Sequence, residues 1–229
     1  MMTTGFWRTA PLALILAGWT MAHAEVIVFQ EDFEGGTLPS QASGGSVDAT
    51  GSIHTSVGDY QWYQGNTLTI TGLPTHSQIR ISFTFLAWDS WDGIGSGNGP
   101  DYFNVKLDGT SIFAEAFANT EGSNSFVTSG GSGYSGSQLV APSFASYAYL
   151  SWTDAAYTID IDFVNHTGST ATFQFFRSLA SEAPNFQVDE SYGLDNITVA
   201  VNDVPEPASW GITALGGAAA WFIRRRRMS

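Results

Sequence analysis

The sequence predicts an all-β domain in which two antiparallel sheets pack as a jelly-roll-like β-sandwich. Runs of period-two alternation recur along the chain. Gly, Ser, Asn and Asp cluster between those runs, and Lys, Arg and Glu are too scarce to line exposed helix faces. A sheet with one apolar face must bury it against another layer, so many short strands imply two packed sheets.

The alternation is clearest from Gln78 to Trp88, where Ile79, Ile81, Phe83 and Phe85 point one way while Arg80, Ser82 and Thr84 point the other. From Tyr157 to Phe163, Tyr157, Ile159, Ile161 and Phe163 alternate with Thr158, Asp160 and Asp162. Further strands are expected at Val26–Gln30, Thr67–Thr71, Tyr102–Leu107, Ser111–Phe117, Thr170–Phe176 and Gly193–Val201. Asp108-Gly109 suits a hairpin turn, because Gly tolerates the positive φ that such a turn requires. Residues 119–142, rich in Ser and Gly, read as a long exposed loop or as irregular strands, with their low apolar content favouring the loop. Gly35 to Gly58 is similarly poor in apolar residues and is expected to wrap the surface.

The two ends differ from this middle. Arg8, the apolar stretch Pro11 to Met21 and the small-x-small sequence Ala22-His23-Ala24 occur in the order of a secretory signal peptide over residues 1–24, leaving Glu25 as the mature start and 25–201 as the sandwich domain. Residues 202–229 comprise a linker, Val204-Pro205-Glu206-Pro207, the uncharged run from Ala208 to Ile223, and Arg224, Arg225, Arg226 and Arg227. At about 1.5 Å per residue that run reaches roughly 24 Å as a helix, short of a hydrocarbon core of about 30 Å. The arginines favour the cytoplasmic side and so place the preceding domain outside.

This C-terminal combination resembles the PEP-CTERM sorting signal over about residues 204–229. The resemblance implies export across the inner membrane of a Gram-negative bacterium by the secretion machinery, transient inner-membrane anchoring, and processing by an exosortase near Pro205, Glu206 and Pro207. It also implies a final place on the outer surface or in the extracellular matrix, in bacteria that often make exopolysaccharide. An ordinary C-terminal membrane anchor that is never cleaved is the alternative.

Between the two terminal signals, Arg80, Lys106 and Arg177 are the sole basic side chains set against the 21 Asp and Glu residues of the chain. Such a surface repels phosphates and attracts cations, which excludes nucleic acid as a partner. The absence of cysteine removes disulfides, thiolate metal sites and thiol nucleophiles. An exported domain of this kind must be held by its core, with bound metal as a possible addition.

Glu31, Asp32 and Glu34 follow the opening strand, and Asp195-Asn196 lies within the closing one. If the terminal strands are neighbours, these groups converge and offer the hard oxygen ligands that calcium takes in sets of six to eight; otherwise they are turn carboxylates. Glu31-Asp-Phe-Glu34 and Tyr192-Gly-Leu-Asp-Asn-Ile197 resemble the terminal strands of jelly-roll carbohydrate-binding modules and related adhesion domains. That resemblance implies a structural Ca2+ linking the two ends, with Glu34 and Asp195 as the best side-chain ligands and carbonyls near Asp32 completing the shell. It carries no defined sugar subsite.

Trp88-Asp-Ser-Trp-Asp-Gly93, a glycine series and Pro100-Asp101 form a second acidic loop in which Asp89, Asp92 and Asp101 bind a cation, or else Asx-turns and an aromatic plug close the loop. The spacing is not that of an EF-hand. Trp62, Tyr63, Trp88, Trp91 and Tyr134 are candidate glycan-stacking rings, each with a core role as the competing reading. Alternation places Trp88 opposite Phe85, hence exposed unless a bulge intervenes. His54, His76 and His166 form no metalloprotease motif, no Gly-x-Ser-x-Gly occurs, and Asn165-His166-Thr167 reads as a turn. The expectation is a non-enzymatic envelope or matrix protein that binds exopolysaccharide; the alternatives are an inert structural or adhesion component and a secreted glycan hydrolase.

Overall fold

The computed structural model describes residues 25–47, 53–54, 65–119, 121–127, 131, 133–139, 154–178 and 190–202. Twelve strands occur among them: β1 (Glu25–Glu31), β2 (Ala42–Ser43), β3 (Ser46–Val47), β4 (Ile53–His54), β5 (Asn66–Thr71), β6 (Gln78–Asp89), β7 (Tyr102–Leu107), β8 (Thr110–Ala116), β9 (Tyr134–Leu139), β10 (Ala155–Asn165), β11 (Thr170–Ser178) and β12 (Glu190–Asn202). The segments read as signal peptide, linker and sorting signal, with Pro205, Glu206, Pro207 and Arg224 to Arg227, lie outside the described residues except for Asn202, which ends β12; Trp62 and Tyr63 also lie outside them.

The strands form two antiparallel sheets. One runs β3-β4-β12-β6-β10-β9, with β1 also paired to β12; the other runs β2-β5-β11-β7-β8. On the edge of β12 away from β6, β4 meets Gly193 and Leu194 while β1 meets Ile197 to Asn202. The first and last described strands are therefore hydrogen-bonded neighbours. The chain changes sheet repeatedly, and two of these connections are β5–β6 and β10–β11. Both strands β7 and β8 stay in the smaller sheet and join through Asp108 (φ 48) and Gly109 (φ 82), the two positive φ values of the expected tight hairpin.

The buried positions follow the alternation. Ile79, Ile81, Phe83 and Phe85 of β6 and Tyr157, Ile159 and Ile161 of β10 face Phe103, Val105, Phe173 and Phe175 of the opposing sheet in one core cluster. Phe85 is at the centre of an aromatic group, with ring centroids 5.2 Å from Trp91, 4.3 Å from Phe103 and 4.6 Å from Phe117. These edge and offset contacts add to the burial of large apolar surfaces.

Two expectations need correction. Residues 134–139, read within a long loop, form β9, which pairs along β10 from Tyr134↔Ile161 to Leu139↔Ala156. Here backbone pairing supplies what apolar content does not. A Cβ on Gly136 would lie 2.0 Å from the Thr158 carbonyl oxygen, so glycine permits that approach. Within Gly35 to Gly58, β2, β3 and β4 add short strands to the sheet edges instead of merely wrapping the surface.

Candidate functional site

The pairing of β1 with β12 brings Gln30 opposite Thr198 and Glu31 opposite Ile197. Immediately beyond, the backbone turns at two non-glycine residues, Phe33 (φ 55) and Asn196 (φ 51). Phe33 is fully buried, which anchors the turn from inside. Asn196 sits where the register of β12 against β6 shifts between Asp195 and Thr198; such a bulge re-aims side chains locally. Together these features open a cleft of about 290 Å³ lined by Gln30, Glu31, Asp32, Asn196 and Thr198.

All five lining side chains carry oxygen. Glu31 Oε1 accepts the Phe33 N–H at 3.0 Å and Asp32 Oδ1 accepts the Glu34 N–H at 3.2 Å, so both carboxylates are oriented by the turn they close. Asp195 is occupied with its neighbour: its Oδ1 accepts the Asn196 N–H at 2.6 Å and its Oδ2 accepts the Asn196 side-chain amide at 2.9 Å. The junction expected from the sequence thus forms, with a different lining. Of the groups expected to converge, Glu31, Asp32 and Asn196 line the cleft, whereas Glu34 and Asp195, read as the best ligands, are not among its lining residues. Among the described residues no three Asp, Glu or His side chains converge as a metal-binding group; the cleft combines two carboxylates with neutral amide and hydroxyl oxygens.

The second acidic loop closes on itself. Asp101 Oδ2 accepts the Asp92 N–H at 2.7 Å, and the Asp101 N–H donates to the Asp92 carbonyl at 2.8 Å. Both residues are buried. A Cβ on Gly99 would lie 2.5 Å from the Asp92 carbonyl oxygen, so this closure depends on glycine there. The side chain of Asp89 lies outside the described residues.

The aromatic candidates that can be located are core residues. Trp91 is fully buried, donating its indole N–H to the Ser191 carbonyl at 2.7 Å. Tyr134 packs on Phe126 and Phe113 with centroids 5.4 and 5.1 Å away. Trp88 does lie opposite Phe85, as alternation requires, but it is fully buried with Leu86 and Ala156 in a second apolar cluster. These three rings therefore form no exposed sugar platform, because each is needed to fill space inside the fold.

A different aromatic surface occurs on the smaller sheet. Tyr102, Asn104 and Lys106 of β7 lie on the face away from the core, opposite in alternation to buried Phe103, Val105 and Leu107. Phe176 of β11 pairs with Asn104, and Lys106 Nζ sits 4.9 Å from its ring centroid. The Asn104 amide donates to Ser178 Oγ at 3.0 Å, fixing its orientation. In sequence Phe176 follows Phe175 directly, and only strand alternation distinguishes the outward ring from the inward one.

The chain matches no protein-family model and no curated protein sequence. Among solved structures it is similar to dimeric latent PorU of Porphyromonas gingivalis (TM-score 0.40, 13% identity), covering 79% of this chain and 13% of that one. It is also similar to a cleaved adhesin domain of Lys-gingipain from Porphyromonas gingivalis (TM-score 0.43, 12% identity), covering 76% of this chain and 99% of that one. A third similarity is to the catalytic domain of a GH87 alpha-1,3-glucanase in complex with nigerose (TM-score 0.27, 11% identity), covering 80% and 29% respectively.

Proposed function

We propose that this chain is an exported, non-enzymatic jelly-roll sandwich of the bacterial surface or matrix, closed by calcium at its terminal strands, binding exopolysaccharide, and sorted by an exosortase. The observation that carries this reading is the cleft at the β1–β12 junction, where Gln30, Glu31, Asp32, Asn196 and Thr198 present oxygen to one space. Calcium accepts carboxylate, amide and hydroxyl oxygens in flexible geometry, whereas smaller magnesium holds its waters. In a domain whose acidic residues greatly outnumber its basic ones, an ion here reduces repulsion and ties the first strand to the last. The terminal signals in the sequence support export and sorting.

For the glycan, the outer face of the smaller sheet is the surface of choice. The Phe176 ring, shared with Lys106 Nζ at 4.9 Å, offers apolar surface, and Lys106 and Gln174 beside it offer donors for hydroxyl groups. Calorimetry of the full-length chain in calcium, magnesium and chelator tests the clasp. Calcium should raise the melting temperature, and Glu31→Gln combined with Asn196→Ala should abolish the rise; no calcium effect in the unaltered chain sinks the clasp. Binding across a panel of neutral polysaccharides should be weakened at least several-fold by Phe176→Ala without loss of folding. An unaltered profile removes the glycan face and favours a purely structural component.

A further inference from the structure

At the end of the sandwich where the chain crosses between sheets, two histidines from loops distant in sequence meet. His76 lies between β5 and β6, and His166 between β10 and β11. His76 Nε2 is 2.7 Å from His166 Nδ1, the ring planes differ by 14°, and the centroids are 5.0 Å apart. Subtracting 2.7 Å from 5.0 Å leaves 2.3 Å, which the two centroid-to-nitrogen radii of imidazole take up. The rings therefore lie end to end in nearly one plane, with their facing nitrogens aimed at each other.

The outer nitrogens fix the proton count. His76 Nδ1 faces the Pro74 carbonyl at 2.6 Å, and a carbonyl only accepts, so that nitrogen carries a hydrogen. His166 Nε2 faces Asp108 Oδ2 at 3.1 Å and the Thr170 carbonyl at 3.2 Å, so it too carries one. The Asp108 carboxylate is itself held, its Oδ1 accepting the Thr172 N–H at 2.9 Å. Two neutral imidazoles arranged this way would direct lone pairs at each other, and two imidazolium rings would direct hydrogens at each other. A single proton between them satisfies both. A metal bridging the two would need lone pairs that converge at an angle, which an end-to-end arrangement does not give.

We propose that His76 and His166 share one proton as an imidazole–imidazolium pair, and that this proton clamps the β5–β6 and β10–β11 connections to the β7–β8 turn. Both rings are almost wholly buried, His76 at 4% exposure and the His166 side chain at 6%. The three loops contribute His76, His166 and Asp108 as their titratable groups; the strands bordering them carry Arg80 and Asp89 on β6, Lys106 on β7, Glu115 on β8, Asp160 and Asp162 on β10 and Arg177 on β11, of which Arg80 is bonded to Asp160. Closure of the clamp therefore depends on solution pH in both directions. Two facing lone pairs or two facing hydrogens across 2.7 Å would open it.

The test is imidazole 15N–1H spectroscopy and thermal melting of the full-length chain from about pH 5 to 9. One pair of rings should show three bound hydrogens over four nitrogens through the middle of that range, and the melting temperature should pass through a maximum there. His76→Gln and His166→Gln should each flatten the maximum, and Asp108→Asn should weaken it while leaving the fold intact. If a glutamine variant fails to fold, the spectrum of the unaltered chain still decides. Two histidines titrating independently, a maximum that survives both substitutions, or a pair that becomes ordered only on adding zinc and is released by chelator would each overturn the shared proton.

Discussion

The phenol of Tyr192 on β12 donates to the Phe175 carbonyl on β11 at 2.9 Å, a hydrogen bond that crosses the interior from one sheet to the other. The same oxygen accepts the Asn66 N–H of β5 at 3.3 Å, so one side chain of the larger sheet satisfies two backbone groups of the smaller. Burial pushes the Tyr192 phenol well above its usual range, against a smaller opposing effect of the Asn66 N–H. The folded chain keeps this proton where the unfolded chain loses it, so its contribution is complete below the ordinary phenol pKa of about 10 and is lost as pH rises beyond it. Tyr192→Phe should destabilise by about 1–3 kcal/mol at neutral pH, since it strands two backbone partners. It should also soften the alkaline decline, as measured by denaturant unfolding between about pH 8 and 11. An alkaline limb unchanged by the substitution would assign that decline to other groups.

Gly193 tests the outer apolar cluster. A Cβ there would lie 2.6 Å from the Trp88 ring and 3.0 Å from a methyl of Leu86. Because Trp88 is fully buried, its ring cannot swing into solvent. Gly193→Ala should cost about 1–3 kcal/mol as overpacking and perturb the near-ultraviolet signal of tryptophan. A neutral result would mean that the Trp88 side of the sheet is loosely covered.

Arg80 joins two strands through carboxylates of unequal worth. It forms paired bonds to Asp160 through Nε and Nη2, while Glu25, more exposed, is 3.1 Å from Nη1. The Arg80 guanidinium is held further in its charged form, chiefly by the hydrogen bond to Asp160, with desolvation opposing. Asp160→Asn should cost up to about 1 kcal/mol and Glu25→Gln less, both effects shrinking in high salt. Equal costs for the two would mean that the paired geometry adds nothing.

Sorting is checked by mass. Protein recovered from the surface should lack residues 1–24 and the Arg224 to Arg227 cluster. An intact C-terminus on mature material would leave an uncleaved membrane anchor as the explanation.

Strands with strong alternation were legible before any coordinates. Ile79 to Phe85 and Tyr157 to Ile161 are buried as the period demands, and Asp108-Gly109 is the hairpin turn that its residue types imply. Alternation weakens after Ile161, where a register shift before Val164 leaves Phe163 only half-buried. The strand from Tyr134 to Leu139 was hidden because its stability comes from backbone pairing with β10, which composition does not report. At the β1–β12 junction the acidic turn could be read from Glu31 and Asp32. Asp195-Asn196 could be read with it; which of the two lines the cleft could not, since β12 shifts register against β6 between Asp195 and Thr198. Trp88 shows the converse limit, where alternation gave its side of the sheet but not whether that side is covered.

The strand that arrives last in the chain, Glu190 to Asn202, lies between β6 on one edge and β1 with β4 on the other. In a polypeptide threaded from its N-terminus, β1 and β6 must therefore wait with unpaired edges until nearly the whole domain has emerged, because no earlier strand supplies their missing partner. Completion of the larger sheet therefore waits for the segment just ahead of Val204-Pro205-Glu206-Pro207. A chain interrupted before Glu190 would present two open templates for pairing with other chains, so the integrity of the last described strand governs self-association as well as the fold.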